Sequence, residues 1–216
     1  MQLVIFHGSF TNVHTHWFPG FLQEMTQLGH NVLVPQFPVN SFDDVMPATD
    51  ADFTPKQSLS SWLNTFENEV LPNLEKNTLW IGHSLGNLFM LHVLEKHPEI
   101  ALVGAIFVVP FYKEVNKGLP HPYQFDVVNN TFYRDSFDFP KLIPQLNFSY
   151  TLYSLNDPYV PNTDSLDFAY QLDSTVIPIK NGKHLGSHLE KFPLVEELAK
   201  SMIDYSQEAN LVVNVE

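Results

Sequence analysis

Six short apolar runs, spread along 216 residues, constrain the fold of this chain more than any other feature. They are "QLVIF" (2–6), "NVLVP" (31–35), "TLWIG" (78–82), "LVGAIFVV" (102–109), "FSYTLYS" (148–154) and "TVIPI" (175–179). Several place apolar side chains at consecutive positions instead of alternate ones, so both faces of those strands need cover from water. Helix-like segments lie between them, near 16–28, 59–74, 86–97, 163–172 and 190–204. Ser58 or Ser60 and Asn162 are suitable N-caps, and Gly29 and Pro98 suitable stops. Strands alternating with helices predict an α/β fold, a parallel sheet with helices on both faces.

The length suits one domain, taken as residues 1–204 with a C-terminal tail at 205–216. Two stretches break the alternation. Residues 36–57 carry prolines and acidic residues and read as a long loop. Residues 110–147, dense in proline and aromatics ("PFYKEV", "PHPYQF", "TFYRDSFDFP"), read as a cap or pocket wall, because so long a loop is uncommon unless it covers something. The tail sequence leaves open a disordered end, an added edge strand or a subunit contact, the last compatible with a homodimer.

With 24 acidic against 11 basic residues the formal charge is −13, which repels phosphate backbones and anionic lipid surfaces. Nucleic acid and membrane are therefore not expected partners. The absence of cysteine excludes disulfides and thiolate metal sites. No basic leader or membrane-length apolar stretch is evident, so a soluble cytoplasmic protein is the expectation.

Function is most legible at Gly82-His83-Ser84-Leu85-Gly86, which follows the "NTLWI" run and precedes the amphipathic "NLFMLHVLEKHP". The G-x-S-x-G pattern alone is weak, but here it joins a strand to a helix. A chain turning that sharply holds the serine at strained angles and needs flanking residues without a Cβ. A serine so placed projects from the carboxyl edge of the sheet, where open α/β sheets bind ligands. Its hydroxyl is a poor nucleophile until a base takes the proton. Asp157, past the fifth run in "SLNDPYVP", and His184, past the sixth in "KNGKHLGSH", supply an acid and a base in the chain order the elbow architecture uses. Asp157 could also serve the Asn-Asp-Pro turn, Asp164 and Asp167 fall inside a helix, and His188 competes with His184.

The oxyanion donors are expected from backbone: the N–H of Leu85 at the start of the elbow helix and that of Ser9 in "FHGSF", with Phe10 second. Phe10, His83, Phe111 and Tyr112 are the candidate substrate-pocket residues, with Tyr123 and Phe125 as further aromatics of the cap. No metal site is expected, since His14 and His16 lack the adjoining Asp-His of metal hydrolases. No phosphate-cradling glycine loop is present, so no cofactor is expected.

Taken together, "HG" after the first run, "HWFPGFLQEM", "SLSSWLN", "GHSLGN", "SLNDPYVP" and "GKHL" resemble the small serine hydrolases of the α/β-hydrolase superfamily grouped with retinoblastoma-binding protein nine and YdeN-like proteins. The resemblance runs from about residue 2 to about residue 200. It implies a compact α/β-hydrolase core of six parallel strands in the order 2-1-3-4-5-6 with no large lid domain. A first strand beginning at residue 2 agrees, leaving no room for two further leading strands. The expected reaction is hydrolysis of a small-molecule acyl substrate, first a carboxylic ester, through Ser84, His184 and Asp157 and an acyl-enzyme. A peptidase, amidase or thioesterase would use the same residues, and a binding scaffold on the same fold is the alternative from another class.

Overall fold

A computed structural model describes residues 1–45, 53–115 and 122–213. Parts of the loop at 36–57, of the excursion at 110–147 and of the tail, together with the side chain of Tyr123, lie outside the described residues.

Six parallel strands form one sheet: β1 (Gln2–Phe6), β2 (Asn31–Leu33), β3 (Thr78–His83), β4 (Gly104–Val108), β5 (Ser149–Ser154) and β6 (Thr175–Ile179). Their order is β2-β1-β3-β4-β5-β6. In register, Phe6 pairs with Gly82 and His83 with Val108, which brings the ends of β1, β3 and β4 level at the carboxyl edge.

The consecutive apolar residues divide between two cores. Val4, Phe6, Trp80 and Phe107 face one side, while Leu3, Ile5, Leu79, Ile81, Ile106 and Val108 face the other. Adjacent strand residues point to opposite faces, so a run such as "QLVIF" feeds both layers at once. On the first side Phe6, Phe37, Trp62, Phe66, Trp80 and Phe89 interlock; Phe6 and Trp80 lie 4.8 Å apart, and Phe37 and Trp62 4.9 Å. On the second side Phe18, Phe21 and Met25 of helix α1 (Phe18–Gln27) pack with Val195, Ala199 and Met202 of the last helix. The edge strand β6 is more exposed and carries Pro178, which removes one backbone donor from the open edge.

The remaining helices are α2 (Phe42–Val45), α3 (Leu59–Thr65), α4 (Leu85–Lys96), α5 (Pro122–Asn129), α6 (Phe139–Leu146), α7 (Asn162–Gln171) and α8 (Pro193–Val213). Ser58 caps α3 in a reciprocal pair with Ser61. That helix then loosens into a π turn (Phe66–Val70) and a tight turn (Leu71–Asn73). Helix α7 is capped at Pro161, so Asn162 is its first residue and not its cap. The stretch at 110–147, expected as a long loop, contains α5 and α6, and the final helix, expected to end near residue 204, continues to Val213. Among the described residues no helix is long and apolar enough to cross a membrane.

Candidate active site

The turn from β3 into α4 is sharp. Ser84 sits at φ 54° and ψ −123°, strained for a residue with a Cβ, and its N–H donates to Val108 O at 2.9 Å. The flanking glycines answer to crowding. A Cβ on Gly82 would meet the side chains of Asn87 and Met90, and one on Gly86 would strike the backbone of Phe6 and His7. Asn87, fully buried, ties the turn to β4: its Nδ2 donates to Ser84 O at 2.9 Å and to Val108 O at 2.8 Å. Every residue of α4 from Leu85 to Leu94 is buried, so the helix behind Ser84 is wedged in the core. That rigidity can hold a strain of the order of 1–3 kcal/mol at one residue.

Asp157 follows β5 and His184 follows β6. The His184 Nδ1 lies 2.9 Å from Asp157 Oδ2 and 3.2 Å from Oδ1, and the Asp157 side chain is 1 % exposed. A carboxylate only accepts, so the ring donates from Nδ1, an arrangement that in a neutral imidazole places the lone pair on Nε2. Asp157 Oδ1 also accepts from the N–H groups of Tyr159 (2.8 Å) and Val160 (3.0 Å). The turn role and the histidine partnership thus coexist in one side chain. Asn156 Oδ1 accepts from the N–H of Lys183, a residue at φ 53°, and so braces the His184 loop against the Asp157 turn.

Ser84 and His184 line one cavity of about 270 Å³ together with Gly8, Ser9, Phe10, Thr11, His16, Trp17, Phe18, Phe42, His83, Phe125, Tyr159 and Ser187. One wall is a relay of rings: Phe42 to Phe10 at 5.5 Å, Phe10 to Phe125 at 5.6 Å, Phe125 to Tyr159 at 5.4 Å, and Tyr159 to His184 at 5.2 Å. Gly8 permits close approach of the loop after β1, since a Cβ there would lie 2.9 Å from Ser84 Cβ. The Leu85 N–H, first in its helix, has no intrahelical acceptor.

His83 is a buried residue of the cavity wall. It donates from Nε2 to Leu185 O at 2.7 Å, and its ring lies 5.1 Å from that of His184. Burial, reinforced by the neighbouring His184, drives its pKa well below the ordinary histidine value, which keeps the ring neutral.

Phe111 and Tyr112 do not line the cavity. They are 2 % and 3 % exposed within the core, where Tyr112 donates its hydroxyl to Asp167 at 2.7 Å. The chain after β4 is tied to α7, with Ser165 Oγ donating to Pro110 O at 2.8 Å, and both rings belong to the hydrophobic core beside it. Asp167 is engaged there, Asp164 lies in α7, and His188 is exposed. His14 is exposed, while His16 reaches the cavity rim. Among the described residues no three His, Asp or Glu side chains converge as a metal site. Trp17, Phe18, Phe42 and Tyr159 were not singled out as pocket residues, although Trp17, Phe18 and Tyr159 fall inside the "HWFP" and "NDPYVP" motifs.

The family model for serine hydrolases matches residues 3–200. The hydrolase YdeN of Bacillus subtilis is 27% identical over 183 residues, 85% of each chain. The crystal structure of the ydeN product superimposes with a TM-score of 0.76 at 25% identity, covering 94% of this chain and 98% of that one. A YdeN-like hydrolase from Pectobacterium atrosepticum, 18% identical, shares the fold with a TM-score of 0.62, covering 95% of this chain and 90% of its own.

Proposed function

The chain belongs to the serine hydrolase family, and from that premise we propose that it hydrolyses small carboxylic esters through an acyl-enzyme on Ser84. One observation carries the reading: a serine held at strained backbone angles shares a cavity with a histidine whose other nitrogen is fixed by a buried carboxylate.

In this reaction His184 Nε2 takes the Ser84 proton as Oγ attacks the ester carbonyl, forming a tetrahedral oxyanion. The same imidazolium then protonates the leaving alcohol as the C–O bond breaks. Water, deprotonated by His184, attacks the acyl-serine, and as the second tetrahedral intermediate collapses His184 returns that proton to Ser84 Oγ and the acid is released. Asp157 holds the ring in the tautomer that leaves Nε2 free and stabilises the imidazolium. The N–H groups of Leu85 and Ser9 receive the oxyanion, each contributing about 3–4 kcal/mol in comparable sites.

The cavity of about 270 Å³ and its ring wall support a compact apolar acyl group. The test is a panel of p-nitrophenyl esters of increasing acyl length beside aminoacyl amides. Turnover of short esters with weak amide cleavage supports the reading. Amide cleavage exceeding ester cleavage would make the protein a peptidase with the same machinery.

A further inference from the structure

The loop that presents the Ser9 N–H is held by a buried polar cluster. Ser9 Oγ donates to Asn129 Oδ1 at 2.7 Å and receives Gln57 Nε2 at 3.2 Å. Gln57 Nε2 also donates to Asn129 Oδ1 at 2.6 Å and to Val128 O at 3.3 Å. Gln57 is fully buried and Asn129 is 2 % exposed. Gln57 is itself anchored, since its N–H donates to Asn40 Oδ1 at 3.2 Å and the next residue, Ser58, caps α3. Its amide faces the cluster with the donor end. In that orientation Gln57 Oε1 is buried with no hydrogen-bond partner among the described residues.

Helix α5 grips the same loop a second time. Phe125 lies four residues before Asn129, on the same helical face, and packs its ring 5.6 Å from that of Phe10. Phe125 also lines the cavity. One helix therefore touches the substrate space through Phe125 and the Ser9 side chain through Asn129.

We propose that Gln57 and Asn129 are positioning residues that fix the Ser9 loop against α5, so that the Ser9 N–H is preset for the oxyanion. The proposal rests on the ester-hydrolase reading and adds to it the elements outside the sheet that set oxyanion geometry. Neither residue touches the reacting atoms. The Ser9 hydroxyl is spent on this lock, with its proton on Asn129 and its lone pair on Gln57, so it is not a second nucleophile. An oxyanion donor acts only in the transition state, so loosening it lowers kcat and leaves KM little changed.

The test compares Ser9→Ala, Gln57→Met and the conservative Ser9→Thr on p-nitrophenyl acetate, with thermal unfolding to verify folding. Ser9→Ala keeps the backbone N–H and removes only the tether; Gln57→Met keeps length and removes the donors; Ser9→Thr keeps the hydroxyl. The expected result is a kcat loss of about tenfold or more in the first two, KM within about twofold, and recovery of most of the loss in Ser9→Thr. Folded variants with wild-type kcat, or losses confined to KM, overturn the proposal. Should Gln57→Met fail to fold, Ser9→Ala decides alone. A wild-type protein that neither turns over esters nor reacts with a fluorophosphonate would instead overturn the hydrolase reading, a separate result.

Discussion

Acid should unfold this protein through histidines buried in the neutral form, and the size of the effect follows from two of them. Burial is the largest influence on both His7 and His92, lowering the pKa of each to about 4 against an ordinary value of 6.5, although each ring also bonds a backbone carbonyl. The folded pKa is depressed, so the unfolded chain binds the proton more readily. The stabilisation is complete above the unfolded value and is lost as pH falls from 6.5 toward 4. Each pH unit within that window costs about 1.4 kcal/mol per group, so each ring removes about 2 kcal/mol between pH 7.5 and 5.0. Together they remove about 4 kcal/mol, and His83 acts in the same direction. The assay is urea unfolding of wild type and His92→Gln at both pH values; comparing the two cancels the titration of all other groups. The variant should lose about 2 kcal/mol less on acidification. An equal loss in both proteins would show that His92 does not titrate with folding and would refute the reasoning.

Other consequences are equally open to measurement. Ser84→Gly relieves a φ of 54° and should raise the unfolding free energy by about 1 kcal/mol in urea while abolishing ester turnover. Gly86→Ala, whose methyl would strike the Phe6 backbone, should destabilise by about 1–3 kcal/mol or more in the same assay. Asp157→Asn preserves shape but disturbs the His184 tautomer, and steady-state kinetics should show kcat lower by about 10³-fold or more. Phe125→Ala removes a link of the ring wall and should raise KM for apolar esters more than for acetate.

The strands were readable because two-sided burial writes itself into consecutive apolar residues, their order only through the family resemblance, and the turn at Ser84 because crowding demands glycine at 82 and 86. The placements of Asp157 and His184 were readable from their distance past a strand end. The excursion was not, because proline obscured its helices: Pro140 opens α6 and Pro144 sits inside it, which breaks the usual helical signature. Phe111 and Tyr112 misled for a different reason. Aromatic residues after a central strand suit a pocket wall as well as a core, and the deciding partners, Asp167 and the Ser165–Pro110 bond, lie over fifty residues away. The last helix was cut short because no stop residue marks its end in "SQEANLVV", so nothing local separated helix from tail. The Ser9, Gln57 and Asn129 cluster left no local pattern at all, being assembled from three separate segments.

The most direct test is fluorophosphonate labelling followed by mass spectrometry of the modified peptide. The account predicts one adduct, on Ser84, absent in Ser84→Ala and formed far more slowly in His184→Ala. An adduct on Ser9 or Ser187, or a rate indifferent to loss of His184, would contradict it.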